Sequence, residues 1–397
     1  MVDAPSSRSP RAPAPARAAG GPAVAARIPI TLITGFLGSG KTTLANAVLR
    51  NPAFAGTLVI VNEFGEVGLD HLLVSSAQDQ VVLLDSGCLC CAASGSLRDT
   101  LIDLFARLAG GAVEPFGRIF VETSGLAHPG PLVATVIGDS AIRPRCALAQ
   151  VMTLVDSVNG MDTLKEYSEA RHQVAFADQL VMTKTDRVAE RDARRLSDAL
   201  HALNPNAPVG RWHPGMAPGP LFRNPDPSGS SVLERPEVWL GNLASARRMA
   251  QEDGRDAAAD PRPLFGGEPG TGGRPSPHGQ AYRRVSTHTL HFGEGALSWA
   301  AYAAWTQAIA ARLGRRLLRC KGVLRMEDGQ AWVVQGVQGY FAPPERLPVD
   351  TQWPGRAFLV CIVDDVAPGE LAAIAAAVPE FPGFSDSPPF PSDDNHG

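Results

Sequence analysis

The sequence lacks the features of a membrane protein, a nucleic-acid-binding protein or a secreted protein. In its 397 residues, no apolar run approaches the roughly 18 residues that a membrane-spanning helix requires. The formal net charge of −4 predicts no basic surface for nucleic acid or anionic lipid. There are only six cysteines and no recognisable secretory segment. We therefore expect a cytoplasmic protein in a reducing compartment rather than a disulfide framework.

A phosphate-binding loop is the clearest motif. Residues 35–42 read GFLGSGKT, with a strand predicted at 28–34 and a helix at 42–50. Backbone N–H groups of such a loop surround nucleotide phosphates, its lysine reaches the outer phosphates, and its threonine can bind Mg²⁺. The flanking elements argue against the alternative, a plain glycine-rich turn. The residues expected to contact nucleotide or Mg²⁺ are Gly35, Gly38, Ser39, Gly40, Lys41, Thr42 and Thr43.

A second nucleotide motif follows a short apolar run at 179–182, which predicts a buried strand. Thr183, Lys184 and Asp186 lie just beyond it, where open parallel sheets place their ligand-binding loops. A carboxylate there can accept two hydrogen bonds from the N1 and N2 donors of guanine, which adenine lacks. We therefore expect GTP rather than ATP, with the stem of Lys184 packed along the base. A solvated polar turn is the alternative.

Half of the cysteines fall within four positions, as Cys88, Cys90 and Cys91. Clustered thiols in a reducing compartment are more often metal ligands or redox groups than disulfides. Three thiolates form a soft site that suits Zn²⁺ or Cu(I) and leaves a fourth position open for transfer. A structural role and a disulfide-based redox switch remain as alternatives. The other cysteines lie in strand-like runs and are expected in the core; they are Cys146, Cys320 and Cys361.

Together these motifs resemble those of CobW-type GTPases, a family of nucleotide-driven metallochaperones and metalloenzyme activators. The resemblance runs from about residue 28 to about residue 377, with a gap in the middle. Besides the cysteine loop, it rests on residues 33–44, 61–70, 121–129 and 319–324. No single stretch is specific for this family, but the combination of all of them is.

The resemblance implies a role for individual residues. Lys41 and Glu122 would act in GTP hydrolysis, with Glu122 in the Walker-B position near Mg²⁺ or its water. Residues 62–70 would form the first switch segment, in which Glu63 and Glu66 could surround or ligate a metal held at the cysteines. GTP would hold this segment and the cysteine loop in one arrangement, and hydrolysis would release both. The implied cofactors are GTP, Mg²⁺ and Zn²⁺ or Co²⁺.

The implied function is that of a GTP-hydrolysing metallochaperone, which binds zinc at the Cys-x-Cys-Cys loop and transfers it to a client metalloenzyme of unknown identity. A nucleotide-dependent homodimer is also an expectation. Within the family, the alternative is insertion of cobalt or iron into one enzyme, in corrinoid synthesis or in nitrile hydratase activation. Outside the family, a metabolite kinase is the alternative, but it would need an Arg-rich lid, and none is visible.

The chain departs from the family pattern in two ways. Many members carry a histidine-rich tract, but here only four histidines lie in the corresponding part, His213, His278, His288 and His291. Isolated histidines are usually ordinary polar residues, so metal binding by any of them stays open. In addition, Thr183 stands where asparagine is commoner, although its hydroxyl can still brace the loop.

The predicted elements divide the chain into two domains. Residues 28–212 alternate strands and helices, including a helix at 96–108, which predicts an α/β P-loop domain with a doubly wound, mostly parallel sheet. Residues 281–378 predict a smaller α+β domain, with a hairpin at Asp328-Gly329, that binds a client or packs over the switch region. We expect disordered tails at 1–27 and 379–397, and a flexible proline- and glycine-rich insert at 213–280.

Overall fold

The structure, a computed structural model, describes residues 27–61, 81–83, 92–204, 207–222, 285–292, 295–347, 357–367, 369–378 and 384–385. The predicted first switch segment (62–70) and cysteine loop (88–91) lie outside these residues. Most of the predicted insert and most of both predicted tails also lie outside them.

The first sheet contains seven strands, all parallel, in the order β3-β2-β4-β1-β5-β6-β7. The strands are β1 (Ile28–Thr34), β2 (Thr57–Val61), β3 (Val81–Leu83), β4 (Arg118–Glu122), β5 (Cys146–Asp156), β6 (Gln179–Thr183) and β7 (Val209–Trp212). All 11 residues of β5 are buried, as is typical of a parallel strand that is covered on both faces.

Helices cover both faces of this sheet. They are α1 (Lys41–Leu49), α2 (Ala92–Ala109), α3 (Gly130–Gly138), α4 (Gly160–Glu166), α5 (Ser168–Phe176) and α6 (Glu190–Leu203). Leu44 of α1 packs with Phe120 on one face, whereas Leu101 of α2 and Val133 of α3 belong to the core on the other. The predicted doubly wound P-loop fold is therefore confirmed. Helix α2 is longer than predicted, because it begins directly after Cys91.

The second sheet is antiparallel and follows the order β11-β10-β9-β13-β8-β14, with β12 paired to β10. Its strands are β8 (Val285–Phe292), β9 (Leu317–Arg325), β10 (Ala331–Val337), β11 (Tyr340–Phe341), β12 (Glu345–Arg346), β13 (Phe358–Asp364) and β14 (Phe384–Ser385). Helices α7 (Trp299–Arg312) and α8 (Glu370–Ala376) pack on it around Trp305 and Leu359. The smaller α+β unit is thus present as predicted, and its β9–β10 hairpin turns at Asp328-Gly329.

Three segments that the sequence assigned to flexible regions belong to the fold. In the predicted C-terminal tail, β14 pairs with β8. In the predicted insert, Phe222 is buried and stacks on Phe120 with ring centroids 4.7 Å apart. It also meets Phe54 edge-on, at 5.0 Å. In the predicted N-terminal tail, Arg27 pairs with Glu345 at 3.2 Å. The proline- and glycine-rich composition around these residues concealed single aromatic and charged side chains that have partners in the fold.

A buried ion pair joins the two sheets. Asp178 follows α5, and the Arg319 guanidinium on β9 donates to both of its carboxylate oxygens at 3.0 Å. Lys321 contacts the same carboxylate, and Arg319 also donates to the Phe176 carbonyl. The Arg319 and Asp178 side chains are only 5% and 8% exposed. Because Asp178 also accepts the Val151 N–H at 2.8 Å, the pair fastens the second sheet to α5 and β5.

We expect the substitution Asp178→Ala to lower the free energy of unfolding by about 3–5 kcal/mol, because it leaves the buried Arg319 charge uncompensated. Chemical denaturation followed by circular dichroism would measure this loss. The matched control is Asp99→Ala, which removes an exposed carboxylate that pairs with Arg98 at 3.2 Å, and this variant should change stability by less than about 1 kcal/mol. Equal losses in the two variants would show that the ion pair does not hold the sheets together.

Candidate nucleotide-binding site

The phosphate-loop motif forms the turn between β1 and α1. Gly38 and Gly40 adopt left-handed φ angles of 72° and 95°, which a side chain would strain. Helix α1 has no acidic residue in its own first turn and no side-chain cap at its start, so none of its own side chains competes for its first N–H groups. A helix N-terminus of this kind is suited to an anion such as a nucleotide phosphate.

Lys41 lies folded over the loop. Its ammonium donates to the carbonyl of Gly35 at 2.9 Å and to that of Phe36 at 3.3 Å. The lysine is only 8% exposed. Carbonyl oxygens are weaker partners for an ammonium than phosphate oxygens, so this contact places Lys41 where it can exchange the loop carbonyls for an incoming phosphate.

Thr42 and Glu122, which only the family resemblance placed together near Mg²⁺, are joined by a direct hydrogen bond. The Thr42 hydroxyl, in the first turn of α1, donates to Oε1 of Glu122 at 2.7 Å. Glu122 ends β4 and is 3% exposed. Hydroxyl and carboxylate oxygens are the hard ligands that Mg²⁺ takes in proteins, commonly with waters and substrate phosphates completing the shell. The donor set of Thr42 and Glu122 therefore fits Mg²⁺.

Thr183 braces the phosphate loop from β6. Its hydroxyl donates to the Ser39 carbonyl at 2.8 Å and lies 3.4 Å from the Val155 carbonyl. Thr183 is 3% exposed, so the contact is shielded from water. The second nucleotide motif thus lies against the first, although 144 residues separate Ser39 from Thr183.

Lys184 and Asp186 extend from the same strand end. Lys184 has a left-handed φ of 56°, and its ammonium donates to Asp156 at 2.9 Å. Burial alone would raise the pKa of Asp156, but hydrogen bonds from Lys184, Val158 and Asn159 hold that pKa below its ordinary value. The carboxylate is therefore ionised at neutral pH and fixes the lysine stem. Asp186 lies exposed in the following single turn, where a base could reach it.

A loop at 123–129 leaves the sheet directly after Glu122. Its start is fixed by the Thr123 N–H, which donates to the Ile33 carbonyl at 2.9 Å. Its middle touches the phosphate loop, because a Cβ added to Gly125 would lie 2.8 Å from the Leu37 nitrogen. The 123–129 loop is therefore attached to β1 at its start and touches the phosphate loop at its middle.

A small cavity lies behind the phosphate loop. It measures about 30 Å³ and is lined by Ser39, Thr153, Asp156 and Gln173 among others. This volume holds one or two water molecules and is far too small for a nucleotide. The cavity therefore belongs to the packing between the phosphate loop and α5, and a nucleotide would lie outside it.

None of the candidate zinc ligands falls within the described ranges, since Cys88, Cys90, Cys91, Glu63 and Glu66 all lie outside them. Among the residues that are described, no group of three metal-ligating side chains occurs.

The remaining three cysteines are buried, and three of the four candidate histidines lie within the described residues. Cys146 is buried at the start of β5, and burial raises its pKa to about 12, so its thiol is inert. Cys320 and Cys361 are buried opposite each other on β9 and β13. His213 makes a hydrogen bond to the Pro214 carbonyl at 2.9 Å. His288 and His291 lie on β8, and His278 is outside the described residues.

Two family models match the chain. Residues 29–211 match the CobW/HypB/UreG nucleotide-binding domain, and residues 285–378 match the cobalamin synthesis protein cobW C-terminal domain. The first match contains the phosphate loop, Glu122 and the motif at Thr183. The second contains β8 to β13.

Three curated relatives show what the chain is similar to. Zinc chaperone YjiA of Escherichia coli (strain K12) is 39% identical over 182 residues, which is 46% of this chain and 56% of that protein. Zinc-regulated GTPase metalloprotein activator 1 of Schizosaccharomyces pombe is 32% identical over 41% of this chain and 40% of that protein. Zinc chaperone CobW of Pseudomonas aeruginosa is 40% identical over 33% of this chain and 36% of that protein. The matches thus span about half of these relatives or less.

The fold is also that of a solved structure. The crystal structure of Zn(II)-bound YjiA GTPase from E. coli superposes with a TM-score of 0.57 at 24% identity, over 89% of this chain and 99% of that chain. At this level of identity the likeness shows the fold. None of the helices in the described ranges combines the length and apolar character that crossing a membrane would take.

Proposed function

Because the chain belongs to the CobW/HypB/UreG family of nucleotide-binding proteins, we propose that it is a GTPase that delivers zinc to a client metalloprotein. The observation that carries the nucleotide part is the 2.7 Å hydrogen bond from Thr42 to Glu122, beside a phosphate loop that Thr183 braces. Support for the zinc part comes from the Cys-x-Cys-Cys motif and from relatives that are zinc chaperones.

In the proposed site, each residue of the phosphate loop has a separate task. Lys41 would leave the Gly35 and Phe36 carbonyls and offset charge on the outer phosphates. Thr42 and Glu122 would hold Mg²⁺, which supplies charge neutralisation between the phosphates, and Glu122 would also orient its water. The N–H groups from Gly35 to Thr43 would donate to phosphate oxygens.

Asp186 would select the base. Its carboxylate is exposed at the end of β6, and the neighbouring Lys184 is held by Asp156 at 2.9 Å. That ion pair holds Lys184 between the ends of β5 and β6, beside Asp186, where we propose that the base binds. A carboxylate that accepts from N1 and N2 of guanine would find no such pair of donors on adenine.

We expect the substitution Asp186→Asn to weaken GTP binding by about 1–3 kcal/mol, roughly 5- to 150-fold in affinity, by analogy with bidentate base contacts. The same variant should gain affinity for xanthosine triphosphate, whose C2 carbonyl can accept from the new amide. Competition of GTP, ATP and xanthosine triphosphate against a fluorescent nucleotide would measure both changes. Asp192→Asn, on the exposed start of α6, is the control and should leave the order of affinities unchanged. Equal competition by ATP and GTP against the unaltered protein would refute the assignment.

The sheet register supports a link between nucleotide and metal. In the parallel ladder, Val61 at the end of β2 lies opposite both Glu122 at the end of β4 and Leu83 at the end of β3. The first switch segment follows Val61, and the cysteine loop begins soon after Leu83. Both segments therefore follow strands that end level with Glu122, at the carboxyl end of the sheet where Glu122 contacts Thr42. We propose that GTP and Mg²⁺ at this end bias both segments together.

The thiolates of Cys88, Cys90 and Cys91 would hold the zinc. Glu63 and Glu66, in the first switch segment, would surround or ligate it. In sequence, this loop directly precedes α2, which starts at Ala92. Hydrolysis of GTP would release the switch segment and lower the affinity of the loop for zinc when a client is docked.

We further propose a client metalloenzyme as partner, a nucleotide-dependent homodimer and action in the cytoplasm. The domain limits that we propose are 28–212 and 281–378, which enclose the two family matches completely. Support for a metalloprotein client comes from the S. pombe relative, a metalloprotein activator.

A further inference from the structure

Helix α5 holds the 123–129 loop at its centre. The side-chain amide of Gln173 donates to the carbonyls of Gly125 and Ala127, each at 3.1 Å. Gln173 is 1% exposed, so both bonds are protected from water. Gly125 is the residue that lies against Leu37 of the phosphate loop. Gln173 therefore fixes the part of the loop that is closest to the phosphate-binding site.

The residue next to Gln173 connects the same loop to the second sheet. The His172 ring lies 5.1 Å from the His128 ring, which belongs to the 123–129 loop. On its other side, His172 Nε2 lies 3.2 Å from a carboxylate oxygen of Asp364, at the end of β13. Asp364 is 3% exposed. A continuous chain of contacts thus runs from the loop through α5 to the second sheet.

His128 is held in a single form. Its Nδ1 accepts the Gly130 N–H at 3.1 Å, which requires this nitrogen to be unprotonated. Burial, and then the nearby His172 and Arg315, lower the pKa of His128 to about 4. The ring is therefore neutral at physiological pH, and its contact with His172 depends on packing geometry rather than on charge.

The second sheet also holds the helix on the other side of the loop. Helix α3 starts at Gly130, directly after the loop, and a Cβ there would lie 2.7 Å from the Gln338 side chain. Near the end of α3, the Tyr340 hydroxyl lies 3.4 Å from the Gly138 carbonyl. Together with the ion pair that follows α5, these contacts attach the second sheet to both helices that flank the 123–129 loop.

We propose that α5 couples the nucleotide state of the 123–129 loop to the second domain, through Gln173 on the loop side and the His172–Asp364 contact on the domain side. This inference rests on the proposed GTPase function. A nucleotide that engages Thr42 also acts on Glu122, the residue from which the loop departs. Loops in this position of GTPases change order with the γ-phosphate.

If the 123–129 loop changes its conformation, the residues of α5 that contact it must also move. If Gly125 and Ala127 move, Gln173 must follow or lose two buried hydrogen bonds, each of which is costly to leave unmade. If His128 moves, the packing of His172 changes, and with it the contact to Asp364. By linkage, the attachment of the second domain must then change the relative affinities for GTP and GDP by the same factor.

The test is a double-mutant cycle on the contact between α5 and β13. We expect His172→Ala and Asp364→Leu, which each remove the hydrogen bond, to change the ratio of the dissociation constants for GDP and a non-hydrolysable GTP analogue by about fivefold or more. The double variant should change it no further, because both substitutions remove one contact. His172→Gln, which retains a donor toward Asp364, should restore most of the original ratio. His201→Ala on α6 is the control and should leave the ratio unchanged.

Each other outcome contradicts the coupling. If both affinities fall equally, or if stability falls while the ratio stays constant, the contact is structural only. If the two single effects add in the double variant, His172 and Asp364 do not act through each other. Asp364→Leu keeps the branched shape of the side chain without its hydrogen-bonding atoms, so it decides the matter if His172→Ala does not fold. If the unaltered protein binds neither nucleotide, the proposed function fails and the coupling fails with it, whereas binding of both without any ratio change refutes the coupling alone.

Discussion

Replacing Lys41 with alanine should reduce GTP turnover by at least about 100-fold, the loss typical of removing one preorganised charged or polar group that stabilises a transition state. The reason is local. The Lys41 ammonium lies on the phosphate loop, 2.9 Å from the Gly35 carbonyl, and no other residue of the loop is cationic. Phosphate release under single-turnover conditions would measure the loss.

The Lys41→Ala protein should stay folded, because the ammonium donates to the Gly35 and Phe36 carbonyls of its own loop and is not part of the apolar core. Circular dichroism and the melting temperature would check this. Lys165→Ala is a suitable control, since Lys165 is exposed on α4 and pairs only with Asp162 within the described contacts, at 3.1 Å. Unchanged turnover in Lys41→Ala would remove this residue from the mechanism.

Replacing Cys88, Cys90 and Cys91 together with serine should abolish tight zinc binding, a decrease in affinity of more than about 100-fold. Zinc deprotonates a bound thiol at neutral pH but not a serine hydroxyl, so the variant lacks soft anionic donors. GTP should still bind, because Lys41 and Thr183 are unaltered. Competition with a chromophoric zinc chelator would measure the affinity.

The control for the triple variant is Cys146→Ala. It also removes a thiol, but one that is buried in β5 and whose pKa is raised to about 12, so zinc binding should persist. If the triple variant bound zinc with unaltered affinity and stoichiometry, the cysteine loop would be structural. The proposed function would then reduce to GTP hydrolysis alone.

The regular elements of the fold could be predicted where they are long or carry a motif. The strand at 28–34 and the helix after the phosphate loop are examples, because apolar runs and glycine signals mark them. Helices α4 and α5 were not individually predicted. Helix α5 reads SEARHQVAF and buries Arg171 and Gln173, and a hydrophobic pattern cannot identify buried polar residues. The shortest strands, such as β7 and β11, form through tertiary pairing and carry no periodicity of their own.

Within the candidate site, residues that belong to a sequence motif could be predicted, and isolated polar residues could not. Thr183 was expected to brace the loop of its own motif, whereas its hydroxyl donates to the Ser39 carbonyl of the phosphate loop at 2.8 Å, a contact that the sequence did not predict. Asp156, Gln173 and His172 were not predicted, because each is a single polar residue whose partner is distant in the sequence. Their partners did lie in stretches that the sequence had singled out: Lys184 in the second nucleotide motif, and Gly125, Ala127 and His128 at 121–129. The roles of the cysteine loop and of the first switch segment remain predictions.

The most direct measurement is the zinc content of the protein in two nucleotide states. Protein purified under reducing conditions would be saturated with GDP or with a non-hydrolysable GTP analogue, then dialysed and analysed for metal. GTP-dependent delivery predicts that about one zinc per chain is retained in only one of these states, since nucleotide and metal affinities must change together. Equal zinc content in both states, or no zinc in either, would contradict the account.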